Sequence, residues 1–306
     1  MKKVFIDGSA GTTGLRIYER LSSRKDIQLI TLSDERRKDI NARRDALNDS
    51  DIAFLCLPDD AARESVSLID NPGTAVIDTS TAHRVNPQWV YGLPELAGQR
   101  DKLKASKRIA NPGCHATGFI VLAAPLVQAG LVKKDSALSC FSLTGYSGGG
   151  KKMIAQYEAD ERDSLLDAPR QYGLTQKHKH LPEMSKFSGL EVPPVFCPIV
   201  APYYAGMEVT VTLHNSSIKA LKECYSDYYH DGLVGLVKFA DGSDESGFIS
   251  AGKFSGRDDL EISVYGNDER VLLVSRFDNL GKGASGAAIQ NMNILLGVDE
   301  TTGLTI

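Results

Sequence analysis

No apolar run in this 306-residue chain approaches the roughly 20 residues that a membrane-crossing helix requires; the longest candidate covers residues 119–127. No membrane span is expected. A basic excess is also missing. Thirty-nine acidic and 35 basic residues are mixed along the chain for a formal net charge of -4, which leaves no basic face for nucleic acid or acidic lipid. Cysteines are few and lack any paired pattern. The five, at 56, 114, 140, 197 and 224, are odd in number and contain no C-x-x-C, which argues against a disulfide framework and against a zinc site. Such usage suits a reducing cytoplasm, and no metal is expected. There is no internal repeat and no low-complexity linker.

What is present is enough apolar side chain, 42% of residues, for two ordinary cores. The opening MKKVFIDGSAG has an apolar run too short for a signal segment and reads as a first strand. Short apolar runs then alternate with helical patterns through the first hundred residues: VFI, LRIYERL, IQLITL, IAFLCLP and AVID. That alternation implies parallel strands joined by crossover helices, hence a Rossmann-type doubly wound α/β domain. After residue 111 the pattern changes. A long helix over 115–128, a strand over 137–143 and one-sided strands at 195–200, 208–213, 260–264 and 271–277 point to an α+β domain with a largely antiparallel sheet. The expected division is residues 1–112, completed by a closing segment 282–306, and 113–281.

Strand one is followed by GSAGTTG, with glycines at 8, 11 and 14 ahead of a helix starting near Thr13. A strand, glycine turn and helix aim amides at a pyrophosphate and let backbone approach it closely, so Gly8, Ser9, Gly11, Thr12, Thr13 and Gly14 are cofactor candidates. The spacing is GxxGxxG and not the GxGxxG fingerprint. At the end of strand two stands LSDERRKD, in which Ser33, Arg36 and Arg37 suit the 2'-phosphate of NADP while Asp34 and Glu35 leave NAD open. NADP is the preferred cofactor.

In ANPGCHATGFIVLAAPLV, Asn111, Pro112 and Gly113 form a turn and Cys114 sits at the mouth of an apolar helix. A helix N-terminus carries about half a positive charge and unpaired amides, which favour a thiolate and can hold an oxyanion. Cys114 is therefore the candidate nucleophile, and Asn111 a candidate substrate contact. Cys56, Cys140, Cys197 and Cys224 lie within apolar strand or helix patterns and read as structural. The nucleophile needs a base, and His178 and His180 in QKHKHLPEM are the catalytic candidates, His178 preferred, just before a helix start suggested by Pro182 and Glu183. His115, the next helical residue after the cysteine, is expected to project elsewhere.

GYSGGGKK at 145–152 nearly spells a nucleotide-binding P-loop, but Lys152 stands where the magnesium-binding hydroxyl belongs. Ser147 and Gly148 remain candidates to cradle one substrate phosphate through backbone amides. IDTSTAHR places Ser80 and Arg84 just past a parallel strand, the edge where such sheets bind ligands, and Arg84 suits a carboxylate or phosphate.

Together GSAGTTG, IDTSTAHR, YGLPEL, NPGCHATG, HKHLPEM and DNLGKGASGAAIQNMN resemble the N-acetyl-gamma-glutamyl-phosphate reductase family of arginine biosynthesis, in its shorter form, over nearly the whole chain. The resemblance implies NADPH-dependent reduction of an acyl phosphate through a thioester on Cys114. It further implies a histidine of the 178/180 pair as acid/base, with Asn279, Gly281, Lys282 and Gly283 approaching the nicotinamide. A homo-oligomer, dimer or tetramer, is also implied. The related aspartate-semialdehyde dehydrogenases share the architecture and the thiolate, but their nucleophile segment usually lacks PGCHATG. Two readings from other classes are a cysteine hydrolase or acyltransferase, which needs no nicotinamide, and a non-catalytic NADP sensor, which needs no Cys114.

Overall fold

The computed structural model describes residues 1–229, 236–240, 242–245 and 247–306, and the chain falls into two compact units. One comprises Met1–Pro112 with Ala284–Leu304; the other comprises Gly113–Gly283 with Thr305–Ile306.

The first unit holds β1 (Lys2–Asp7), α1 (Thr12–Leu21), β2 (Ile27–Ile30), α2 (Ile40–Asp49), β3 (Ile52–Leu55), α3 (Asp59–Ser67), β4 (Ala75–Asp78), β5 (Val90–Tyr91), α4 (Gln99–Ala105) and β6 (Arg108–Ala110). Its strands form one sheet in the order β2-β1-β3-β4-β6-β5, with every pairing parallel. Helices cover both faces, and so β3 and β4 are buried at every residue. Ile17 and Leu21 of α1 join one core, whereas Ala46 and Leu47 of α2 and Ala62 of α3 join the other. The strand order reverses between β1 and β3, and there the carboxyl ends of the strands open a crevice of the kind that binds dinucleotides.

The closing helix, Gly286–Leu296, belongs to this unit and is buried on almost every side, including Gln290, Asn291 and Asn293. The polar residues tolerate burial because each is hydrogen-bonded. The Gln290 amide donates to Glu95 and Glu300, the Asn291 amide to the Gly92 carbonyl, and the Asn293 amide to the carbonyls of Glu300 and Thr302.

The second unit begins with α5 (Cys114–Gln128) and continues through β7 (Ser139–Gly145), α6 (Gly150–Tyr157), β8 (Arg170–Gln171), α7 (Leu181–Ser188), β9 (Val195–Ala201), β10 (Met207–His214), α8 (Ile218–Tyr228), β11 (Val237–Phe239), β12 (Leu260–Asn267) and β13 (Arg270–Phe277). The strands make a seven-stranded sheet, β11-β12-β13-β10-β7-β9-β8. Most pairings are antiparallel. Those of β7 with β9 and β11 with β12 are parallel, the former because the chain between them, with α6 and α7, is a crossover. One face is apolar at alternate residues and packs on α5: an added Cβ at Gly118 would strike Val209, Phe277 and Ser275. Among the described residues no helix is long and apolar enough to cross a membrane.

Candidate active site

In the first unit the glycine turn forms the floor of a cavity. Gly8 has φ +87°, and an added Cβ there would overlap the Cys56 carbonyl, so the chain can reverse at this point only with glycine. The Gly11 amide donates to the Gly8 carbonyl at 3.0 Å, and α1 then starts at Thr12. Gly14 packs directly against the Gly8 carbonyl, with Thr13 in the same first turn. Gly11 supplies no side-chain cap, no acidic residue occupies the first turn, and the Thr12 hydroxyl is buried without a hydrogen-bond partner. A helix end left in this state fits a pyrophosphate. Ser9 and Ala10 line a cavity of about 570 Å³ whose other wall includes Asp34, Arg37 and Lys38.

That wall sorts the residues singled out after strand two. Arg37 lines the cavity and pairs with Asp34 at 3.5 Å. Arg36 is not on the wall, and Ser33 is engaged locally. Its carbonyl accepts the amides of Arg36 and Arg37, and its hydroxyl bonds Glu35, holding that carboxyl below the usual range. Lys38, in the same charged run, is a cavity residue that the sequence reading passed over. We expect Arg37→Ala and Lys38→Ala each to weaken NADP binding about tenfold, the scale of one charge-assisted contact, while leaving NAD binding nearly unchanged. Fluorescence titration with both cofactors checks this; equal losses for NADP and NAD would overturn it.

In the second unit Cys114 opens α5 and is half-buried at its mouth, while residues 115–127 of the helix are buried. Gly113 precedes it without a side-chain cap, and the first turn has no acidic residue. The helix thus presents its amide end to the sulfur. Three of the other thiols are raised: burial pushes Cys56 up to about 12 and raises Cys140 and Cys224 as well, keeping all three protonated.

The turn before the nucleophile is braced from several sides. The Gly113 amide donates to Glu183 Oε2 at 3.1 Å, and Glu183 is buried. Gly283 lies against the cysteine, since a Cβ added there would come within 2.8 Å of Cys114 Cβ. Asp278 fixes that approach by accepting the amides of Gly256, Leu280 and Gly281 on its carboxylate and that of Gly283 on its carbonyl.

His178 and His180 lie together just before α7, with ring centroids 4.7 Å apart. His178 is half-buried, and its Nδ1 accepts the His180 amide at 3.2 Å. His180 is buried, with Nε2 4.0 Å from the Glu183 carboxylate. Contrary to expectation, His115 points into the same cluster, 5.7 Å from the His178 ring and 5.6 Å from that of His180. Its Nδ1 bonds the Ser142 hydroxyl at 2.6 Å and its Nε2 the Tyr172 hydroxyl at 2.7 Å. Burial, assisted by charge on His178, lowers the His115 pKa to about 3, so this imidazole is neutral at working pH. Among the described residues no group of three or more His, Cys, Asp or Glu is arranged to hold a metal ion.

The anion-binding candidates are already engaged within their own units. The Ser80 hydroxyl donates to Asp78, which also bonds His83 Nδ1 at 2.6 Å. Arg84 is buried, and its guanidinium donates to the carbonyls of Asn111 and Thr79. The Asn111 amide donates to the Ala284 carbonyl, and its oxygen accepts from Asn291. Ser147 is buried in a single 3-10 turn, where its hydroxyl accepts the Asn279 amide at 3.0 Å and Gly148 lies beside the same amide. Asn279 Oδ1 in turn accepts the Gly206 amide, so Asn279 ties two loops of the second unit together. Lys282 is fully buried in the π-helical turn Gly281–Ser285, a local widening of the helix often found at functional sites.

Comparison with known proteins sets this geometry in a family. The model of the semialdehyde dehydrogenase NAD binding domain matches residues 3–106, and that of the semialdehyde dehydrogenase dimerisation domain matches 114–279. An N-acetyl-gamma-glutamyl-phosphate reductase 2 from a Nostoc species is 43% identical over 318 residues, covering 99% of each chain. One from Pseudomonas putida is 43% identical over 98% of each. Among solved structures, aspartate semialdehyde dehydrogenase II of Vibrio cholerae superimposes with a TM-score of 0.71 at 15% identity, covering 97% of this chain and 98% of that one. The Candida albicans aspartate semialdehyde dehydrogenase with NADP does so at 0.67 and 19%, over 97% and 98%. At such identities these two speak for the fold alone.

Proposed function

The chain belongs to the semialdehyde dehydrogenase family and, within it, to the N-acetyl-gamma-glutamyl-phosphate reductases, and on that footing we propose its reaction. It reduces N-acetyl-gamma-glutamyl phosphate to N-acetylglutamate 5-semialdehyde and phosphate, in arginine biosynthesis. The observation that carries the reading is Cys114 at the uncapped mouth of α5, where the preceding Gly113 amide donates to the buried Glu183 carboxylate that lies 4.0 Å from His180 Nε2. The Cys114 thiolate attacks the acyl carbon, the C–S bond forms, and the C–O bond to phosphate breaks to leave a thioester. Amides of the first turn of α5 face the oxygen on which charge develops. Bound NADPH supplies the hydride that converts the thioester to the aldehyde level. His180, whose Nε2 lies 4.0 Å from the Glu183 carboxylate and which we therefore assign in place of the His178 preferred from the sequence, holds the proton taken up as the C–S bond breaks and the thiol is restored. The cradle at Gly8–Gly14 with Arg37 and Lys38 holds the cofactor, which we assign as NADP(H).

The chain acts as a homo-oligomer joined through the open face of the seven-stranded sheet. On the side away from α5, register aligns Phe141, Val195 and Leu272, which are 46%, 55% and 43% exposed within the matched dimerisation domain. A second copy covers them.

The test is to mix the purified enzyme with N-acetyl-gamma-glutamyl phosphate in the absence of NADPH. Peptide mass spectrometry is expected to find the acyl adduct on Cys114, and sedimentation of the same sample a mass above the monomer. No adduct under conditions that support turnover, or preference for aspartate semialdehyde in the reverse assay with phosphate and NADP, overturns the assignment. A monomer overturns the oligomer.

A further inference from the structure

We infer that His83 holds the nicotinamide riboside half of the bound dinucleotide, accepting a hydrogen bond on Nε2 while Asp78 fixes the ring from behind. This rests on the cradle at Gly8–Gly14 taking NADP(H), as proposed above. The imidazole lies in the turn that follows β4 and is set in two ways. Its Nδ1 is 2.6 Å from Asp78 Oδ2 at the end of the strand, and its face stacks on the Trp89 indole with centroids 4.1 Å apart and planes within 14°. Asp78 is fully buried and already accepts the amide and the hydroxyl of Ser80, at 2.9 and 2.8 Å. A carboxylate only accepts, so Nδ1 carries the proton and Nε2 of the neutral ring the lone pair.

Nε2 is the nitrogen left open. It takes no hydrogen bond among the described residues, and it is not one of the buried polar atoms that lack a partner, so it is the edge by which this otherwise buried residue reaches the surface. A ring already pinned by one edge and one face loses little freedom when a ligand binds it.

The turn stands where the second half of a dinucleotide has to run. The cavity beside the glycine turn extends over the end of β2, with Ile30, Thr31 and Leu32 in its lining and Asp34 and Arg37 beyond. With the adenosine there and the pyrophosphate on α1, the other half runs the opposite way along the sheet edge, over β3 and β4. The ends of these strands are laddered: the Cys56 amide donates to the Asp7 carbonyl, and the Thr79 amide and hydroxyl both donate to that of Leu55. Two strands separate β4 from β1 by about 10 Å, at about 4.8 Å each. Thr81 fixes the turn further, its amide and hydroxyl donating to Asp59 at the start of α3.

Hydrogen-bond polarity selects the occupant. The ribose hydroxyls and carboxamide N–H groups of a nicotinamide riboside are donors that match a lone pair, whereas the oxygens of a phosphate or carboxylate are acceptors that do not. Ser80 and Arg84 stood out in the sequence as ligand candidates. His83 between them did not, because Asp78 and Trp89 meet its ring only in the folded turn.

The experiment compares NADP with 2'-phospho-ADP-ribose, the same molecule without its nicotinamide, by calorimetric titration of the parent, His83→Asn and His83→Phe; it needs no turnover. Asn keeps a donor for Asp78 at the place of Nδ1 and withdraws Nε2, whereas Phe keeps the stack on Trp89 and removes both nitrogens. Each is expected to weaken NADP about tenfold, the scale of one hydrogen bond, and to leave 2'-phospho-ADP-ribose within about twofold of the parent. Retained binding of 2'-phospho-ADP-ribose also certifies that the variant is folded. Unchanged NADP binding in either variant overturns the contact, and so does an equal loss of both ligands, which places the effect in the cradle. A parent that binds neither ligand overturns the cofactor assignment and the contact with it.

Discussion

Replacing Cys114 with serine is expected to lower turnover by a factor on the order of 10⁴ or more, while NADPH binding stays within about twofold of the parent. The change is one atom at a half-buried position, so packing has little reason to respond. The chemistry responds strongly. A helix N-terminus stabilises a nearby anion by about 1 kcal/mol, enough to help a thiol that already ionises near neutrality and far too little for an alcohol. Among the other thiols, burial holds Cys56, Cys140 and Cys224 protonated. Cofactor binding is spared because the cradle is formed by Gly8–Gly14 and the wall bearing Arg37 and Lys38, which belong to the first unit. NADPH oxidation gives kcat and fluorescence titration gives the cofactor Kd. A serine variant retaining a tenth of parental kcat would remove Cys114 from the mechanism, and with it the thioester.

The residues differ in how plainly the sequence announced them, for physical reasons. Cys114 and the Gly8–Gly14 turn were legible because each needs a local conformation: an uncapped helix start and a reversal with positive φ are set by a few adjacent residues. The parallel sheet of the first unit was legible because strands covered on both faces must be apolar throughout, as residues 52–55 are. What escaped depends on contacts distant in sequence. Glu183 read as a helix-start residue, yet its carboxylate receives the Gly113 amide from 70 residues away. His115 was set aside because it projects away from its neighbour on the helix. The reasoning about direction did not foresee that residues 172, 178 and 180 converge on its ring. Arg84, read as a ligand for an anion, also donates to the carbonyls of Thr79 and Asn111, contacts that spacing does not reveal. The parallel pairing of β7 with β9 was likewise hidden, since alternation in a strand fixes its buried face and says nothing of the direction of its partner.

Gly283→Ala is expected to lower kcat by about a hundredfold, with the Kd for NADP much less affected. Alanine is conformationally permitted at this position, where φ is not positive, so the effect is steric. The new Cβ would stand 2.8 Å from Cys114 Cβ and 3.1 Å from the Asp278 carbonyl. Real carbon atoms do not pack so closely, and one side must give way. The Asp278 side is tied down. Its carbonyl accepts the residue-283 amide at 2.9 Å, and its carboxylate holds three further amides of the same turns. With that side fixed, the displacement falls on the nucleophile at the mouth of α5. A shift of the sulfur by about 1 Å from its line of attack is what costs two orders of magnitude in rate. The resemblance gives Gly283 a different duty, approach to the nicotinamide, and the two duties separate in one experiment. Loss of kcat with slower alkylation of Cys114 by iodoacetamide supports the steric account, because alkylation proceeds without cofactor. Parental kcat and alkylation with a raised Kd for NADP would sink that account and assign this glycine to the cofactor instead.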